Sequence, residues 1–235
     1  KTSASLTTAR GSENFDVILV ATVDGAVHAV NPTSGAVRWT LKTGSPLVSS
    51  SAHASVERLV PSLDGSLFMF GDRGRLQRVG IDIQEMVARA PSVSADHAWT
   101  GSKTAKMFVV DLSTGQVVRE LASDFVLDAD RKSFGRGTVL IGRADYSVKG
   151  SDRTGFHELW NMSFGKFIAD AEIPVGKDDY PLLLSSDVMS QVIAHDRESG
   201  EKMWSVKFWA HPVAFYRVID LSQGTDQPPV LSLIE

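Results

Sequence analysis

"VILVATVDGAVHAVNPTSGAVRW", running from Val17 to Trp39, is the stretch whose reading decides the fold. Two runs of β-forming residues flank Asp24-Gly25, and a glycine at that place takes positive φ without steric cost, so the stretch predicts a tight hairpin. "NPTSG" from Asn31 to Gly35 then closes the second strand, and "AVRWTL" opens a third.

The phrase returns along the chain. It recurs as "RLVPSLDGSLFMFGDRGRLQRV" with Asp64-Gly65, as "KMFVVDLSTGQVVREL", as "VLIGRADYSVKGSDRTGFHELW" and as "MSQVIAHDRESGEKMWSVKF". The turn glycines Gly35, Gly74, Gly115, Gly155 and Gly200 are spaced by 39, 41, 40 and 45 residues. A period near 40 with several strands per unit is the mark of propeller blades, in which each sheet buries an apolar face against its neighbours. Five imperfect units are expected, each with a branched apolar strand such as Val17–Val20, Val109–Val110 or Leu182–Leu184. Trp39, Trp160 and Trp204 follow their turn glycines by four or five residues, and this recurrence predicts packing between sheets. The fold class is therefore all-β, a propeller-like repeat of antiparallel sheets with minor helical connections.

Elsewhere the pattern breaks. "DIQEMVARA" pairs an Asp82 cap with Glu85 three residues later, which predicts a capping box and a short helix over 82–90. Loops or junctions are expected near 124–137, 170–181 and 221–230, where periodicity fades and Pro174, Pro181 and Pro228-Pro229 interrupt it. The 235 residues read as one domain, 43% hydrophobic and 22% charged, a composition able to collapse around a core. A dispersed net charge of −4 favours solubility over attraction to nucleic acid, and Lys103, Lys106, Arg119, Arg131, Lys132 and Arg136, which could give local positive surface, are separated by acidic or apolar stretches unlike a compact single-strand-binding surface. With no cysteine there is no disulfide framework and no thiolate chemistry. No 18-residue uncharged apolar run would cross a membrane.

Catalytic patterns find little support. His28, His53, His97, His157, His195 and His211 show no close ligand spacing, so no metal is expected. Asp24 and Asp64 occupy equivalent Asp-Gly turns, where local backbone hydrogen bonding accounts for them. "GDRGRLQRVG" lacks the ending of a phosphate loop, and the serines from Ser45 to Ser51 lack a nucleophile elbow. "NMS" at Asn161–Ser163 is an N-glycosylation acceptor, whereas Asn31-Pro32-Thr33 is excluded by its proline.

The ordered set "ATVDGAVHAVNPTSGAVRWTLKTG", "VPSLDGSLFMFG", "GSKTAKMFVVDLSTG", "LIGRADYSVKGSDRTGFHELWNMSF" and "VIAHDRESGEKMWSVKFWAHPVAFY" resembles the luminal sensor domain of the IRE1-type transmembrane kinase and endoribonuclease of the unfolded-protein response. The resemblance runs from about Val17 to Tyr216. It implies an incomplete propeller-like assembly without cofactor or enzyme chemistry of its own, in the endoplasmic reticulum lumen as part of a single-pass membrane protein. It also implies homodimers and higher oligomers, and unfolded polypeptides or a luminal Hsp70 chaperone as partners. Gly101, Ser102, Lys103, Val110, Asp111, Thr114 and Gly115 match the family's "GSK...VIDLxTG". The dimer strand is thus expected over Lys103, Thr104, Ala105, Lys106, Met107 and Phe108, with Met107 and Phe108 offering apolar contact to an extended client. Ala105 and Met107 stand where the family has an acidic residue and a tryptophan. "LWNMSF" resembles the family's "LWN-x-[ST]" stretch, which implies a luminal glycan at Asn161. PERK-type luminal domains share the "SLDG" and "SG...W" phrases and are the alternative, while "GRADY" and "PVAFY" favour the IRE1 type. A quinone-dependent dehydrogenase propeller and an envelope-assembly scaffold are the more distant readings.

Overall fold

The computed structural model describes residues 16–53, 58–70, 74–93, 97–122, 134–135, 137–152, 157–168, 180–219 and 229–234. Most of the expected junctions, and Gly155, lie outside the described residues. The strands are β1 (Ile18–Thr22), β2 (Ala26–Val30), β3 (Val37–Lys42), β4 (Val48–Ala52), β5 (Leu59–Pro61), β6 (Ser66–Phe70) and β7 (Leu76–Asp82). After helix α1 (Ile83–Ala88) come β8 (Ser92–Val93), β9 (His97–Asp111), β10 (Val117–Ala122), β11 (Thr138–Asp152) and β12 (Glu158–Ile168). The chain ends with β13 (Leu182–Ser186), β14 (Gln191–Asp196), β15 (Lys202–Lys207), β16 (Pro212–Ile219) and β17 (Val230–Leu233).

These strands form four antiparallel sheets in an open, incomplete propeller-like ring. Sheet I has the order β17-β16-β1-β2-β3, and sheet II β10-β9-β11-β12-β4 with β8 added to β9. Sheets III (β5-β6-β7) and IV (β13-β14-β15) are the three-stranded ends. The expected third and fourth units are therefore one sheet. β9 and β11 pair without a shift from Asp111↔Thr138 to His97↔Asp152, which leaves no space for a separate blade between them.

Sheet I is the centre because both of its faces are apolar. Leu19, Ala21, Val27 and Trp39 pack with Phe108, Val110 and Ile141 of sheet II, while Ile18, Val20 and Val30 pack with Val192, Ala194 and Trp204 of sheet IV. β1 accordingly reads as a continuous buried run, as a strand covered on both sides must. β16, carrying "PVAFY", pairs with β1 from Ile18↔Arg217 onward and joins the late part of the chain to its start.

Each seam of sheet I is fastened by an indole. Trp204 Nε1 donates to the Pro32 carbonyl at 2.5 Å, and its ring lies so close to Gly35 that a Cβ there would stand 2.7 Å from it. Trp39 does the same on the next turn, donating to the Leu112 carbonyl at 2.8 Å and covering Gly115, where a Cβ would stand 2.6 Å from the ring. Gly35 and Gly115 have φ of 71° and 73°, so these two positions require glycine for both backbone and space. The turns are preset by carboxylate or amide caps: Asp111 Oδ1 accepts from the Ser113 and Thr114 N–H groups at 3.0 and 2.8 Å, and Asn31 Oδ1 from Thr33 and Ser34. The second and third units carry Arg78 and Arg119 four residues after their turn glycines, so the series of indole docks stops there. Trp160 packs elsewhere, against Gly150 in the neighbouring strand.

Candidate functional site

β9 is the longest strand together with β11, each 15 residues. Its inner edge is fully paired with β11, but its outer edge is not. β10 covers Lys106 to Val110, and β8 covers Ala98 and Trp99. Among the described residues no strand pairs with Thr100–Ala105 on that side, which leaves a short row of backbone donors and acceptors open.

Alternation sorts the side chains of this edge onto two faces. Gly101, Lys103 and Ala105 face α1 and its surroundings. Gly101 lies under the helix, where a Cβ would stand 2.9 Å from both the Val87 Cα and the Ala90 Cβ. α1 starts at Asp82, whose Oδ1 accepts from the Glu85 N–H at 2.7 Å. Glu85 does not complete the capping box, because its carboxylate pairs with Arg89 one turn on. Lys103 Nζ sits 5.6 Å from the Tyr146 ring centroid, and Tyr146 stacks on Phe164. Thr100, Ser102 and Thr104 are exposed on the other face, in register with Lys149, Ser147 and Asp145. β12 and β4 continue those rows with Asn161, Ser163, Ser51 and Ser49, so that face of sheet II is rich in hydroxyls.

The six residues expected on the dimer strand therefore divide. Lys103, Thr104 and Ala105 lie on the open edge. Lys106, Met107 and Phe108 are in the ladder with β10; Lys106 pairs with Glu120 at 2.6 Å, Met107 packs beside Val109 and Leu121, and Phe108 is buried in the core. Asn161 lies mid-strand between Lys149 and Ser51, half-buried, with Nδ2 donating to Glu158 Oε1. Its neighbour Met162 points into the core, and Ser163 shares the open face.

Sequence reasoning passed over Arg143, which is 1% exposed and holds the site to the rest of the fold. From β11 its Nε and Nη2 chelate Asp145 at 2.7–3.1 Å, Nη1 donates to Thr43 Oγ1 at 3.1 Å and Nη2 to the Ser45 carbonyl at 2.5 Å. Thr43 in turn donates to the Gly25 carbonyl, so one guanidinium ties the first hairpin and the β3–β4 link to sheet II. The Arg-x-Asp spacing within "GRADY" was the available signal, since residues two apart share a strand face.

The other chemistry-bearing residues do not converge. An open depression of about 570 Å³ is lined by Asp64, Ser66, Arg78, Asp82 and Glu85, whose polar atoms already serve turn and cap bonds. Burial holds the His28 imidazole below its usual range despite the nearby Asp24 charge; Thr22 and Thr40 bond its ring, and Phe208 packs against it. Among the described residues no three metal-ligating side chains come together, and no helix is long and apolar enough to cross a membrane.

An open ring of antiparallel blades fastened by indole docks defines a class of repeat protein. Residues 2–125 match the family model PQQ_2, described as outer membrane protein assembly factor BamB, and because that match takes in more than half of the chain, the chain belongs to this family. A more particular likeness accompanies it. The chain is 30% identical over 208 residues to the serine/threonine-protein kinase/endoribonuclease ire-1 of Caenorhabditis elegans, covering 86% of this chain and 21% of that protein. It is 26% identical over 199 residues to eukaryotic translation initiation factor 2-alpha kinase 3 of Bos taurus, covering 79% of this chain and 18% of that protein. The compact lumenal domain of yeast Ire1 has the same fold, with a TM-score of 0.73 at 17% identity, over 92% of this chain and 74% of that one. The chain is thus homologous in sequence to IRE1-type kinase/endoribonucleases and shares the fold of the yeast Ire1 lumenal domain. It spans about a fifth of the length of the curated relatives it matches.

Proposed function

We propose that this chain is the stress-sensing and self-associating module of an IRE1-type kinase and endoribonuclease. It stands in the endoplasmic reticulum lumen as part of a single-pass membrane protein and couples unfolded-protein load to enzymes on the other side. The observation that carries the reading is the open stretch Thr100–Ala105 on β9, set in a fold homologous to a luminal sensor. Two such edges related by a two-fold axis would satisfy each other's backbone groups and extend sheet II across both copies. Lys103 lies at the centre of that edge. Its ammonium rests near Tyr146, an aromatic support that fixes the charge close to the axis.

Unfolded polypeptide, a luminal Hsp70 chaperone, or both act on the monomer–dimer equilibrium. A client that binds the dimer more tightly must favour the dimer, by linkage. Asn161 carries a glycan on the hydroxyl-rich face, away from the side of Lys103.

Sedimentation across a concentration series tests the edge. Reversible dimers are expected, and Lys103→Glu should weaken association about ten-fold or more while thermal stability changes by less than about 0.5 kcal/mol, as for an exposed substitution. Equal association constants for Lys103→Glu and wild type would remove Lys103 from the interface. Titrating an apolar-basic unfolded peptide while following sensor mass tests the coupling; saturable binding with no shift toward dimer would refute it.

A further inference from the structure

Among the described residues sheet IV has a partner on one face only. Trp204, Val192 and Ala194 point to sheet I, while Leu183 and Met203 are exposed, as are Val188 and Met189 at the β13–β14 turn. On the open side the Gly200 turn repeats the architecture of the two filled docks. Its φ is 71°, and Asp196 Oδ1 accepts from the Glu198 and Ser199 N–H groups at 3.0 and 2.7 Å, as Asp111 does in its own turn. Gly35 and Gly115 are each covered by an indole, yet among the described residues no atom lies within 4 Å of where a Cβ on Gly200 would stand.

All five tryptophans are among the described residues, and four have places. Trp39 and Trp204 fill docks, and Trp99 and Trp160 pack in the core of sheet II. Trp209 is the exception, fully exposed just past β15. It cannot reach its own Gly200, because the strand between them holds the two ends roughly 25–30 Å apart at about 3.3 Å per residue.

We propose that the Gly200 turn is an open indole dock and that Trp209 of a second copy fills it. The contact is reciprocal about a two-fold axis lying across β15. Such an axis reverses the strand end for end, so Trp209 of each copy meets Gly200 of the other while Leu183 and Met203 face their equivalents. The same reversal brings Glu198 and Glu201, beside Lys202 at the glycine end, toward Lys207 at the indole end. All four are exposed, and none has an ion-pair partner among the described residues. The second copy thus stands where a closed propeller would have its next blade, on a surface apart from the β9 edge.

The absence of cysteine allows a direct test. A nitroxide placed on Glu201→Cys in a Trp209→Phe background is mixed with unlabelled wild-type chains. Trp209 of the unlabelled chain should be quenched as concentration rises through the tens of micromolar, and unlabelled Trp209→Phe should lose that quenched emission. Trp209→Lys should weaken this association at least ten-fold with an unchanged circular-dichroism melt. The quench should persist when Lys103→Glu is present in both chains, which separates this surface from the one proposed on β9. No concentration-dependent quench up to about 100 µM, or an equal quench with Trp209→Phe, overturns the proposal.

Discussion

At the scale of single residues the fold depends on a few groups that join distant stretches. Replacing Arg143 by Met should cost on the order of 2–4 kcal/mol in urea unfolding. It strands Thr43 and the Ser45 carbonyl, while the half-exposed Asp145 can still be hydrated. Gly115→Ala should be costly for two reasons, the positive φ, worth about 1–2 kcal/mol, and displacement of the Trp39 ring. Acid should act in two windows. Turn hydrogen bonds hold the Asp64, Asp111 and Asp196 carboxyls below the usual carboxylate range. Their stabilisation is present above about pH 4 and lost as pH falls through the lowered folded values. His28, held below its usual range by burial, binds its proton more readily when unfolded, so its contribution is lost earlier, as pH drops below about 6.5. Melting curves from pH 7.5 to 2 should show both declines, with His28→Gln removing the first and Asp111→Asn reducing the second. The turn carboxylates were legible because Asp-Gly and Asp-x-x-x-Gly spacing is local. The Arg143 network was not, since Thr43 and Ser45 lie about a hundred residues away and nothing in the sequence says which hydroxyl meets which guanidinium.

At the scale of elements the outcome turns on how far a strand keeps its partner. "GSKTAK" has no apolar alternation, yet it is strand, because β11 pairs with it throughout and one of its faces is solvent. That long pairing merged two expected units, and a sequence period cannot reveal it, since period records turns and not registers. The open edge of β9 is likewise a matter of where β10 and β8 stop. Helix α1 was legible from its cap, and its role as a cover on Gly101 was not. Gly101→Val should force α1 off β9 and destabilise by about 1–3 kcal/mol, the range for overpacking, whereas Asp82→Ala should cost about 1 kcal/mol through the cap alone. Helical circular dichroism lost with Gly101→Val at unchanged β signal would establish the local nature of that damage.

At the scale of the whole molecule an open ring has unequal parts. Sheets I and II share the largest buried cluster, while sheets III and IV are three-stranded ends. Amide exchange should therefore be fastest in β5–β7 and β13–β15 and slowest in β1 and the central residues of β11, as expected where a unit has one neighbour instead of two. Equal protection across all four sheets would mean that the ring opens only as one cooperative body. The indole docks have a spectroscopic consequence. Trp204 spans the boundary of sheets IV and I, and Trp39 that of sheets I and II, each shielded from water and hydrogen-bonded to a carbonyl across the gap. Each boundary thus carries its own chromophore. In a variant retaining one of the two as its sole tryptophan, a red shift in emission would time the parting of that boundary alone, giving an optical clock for each joint of the ring.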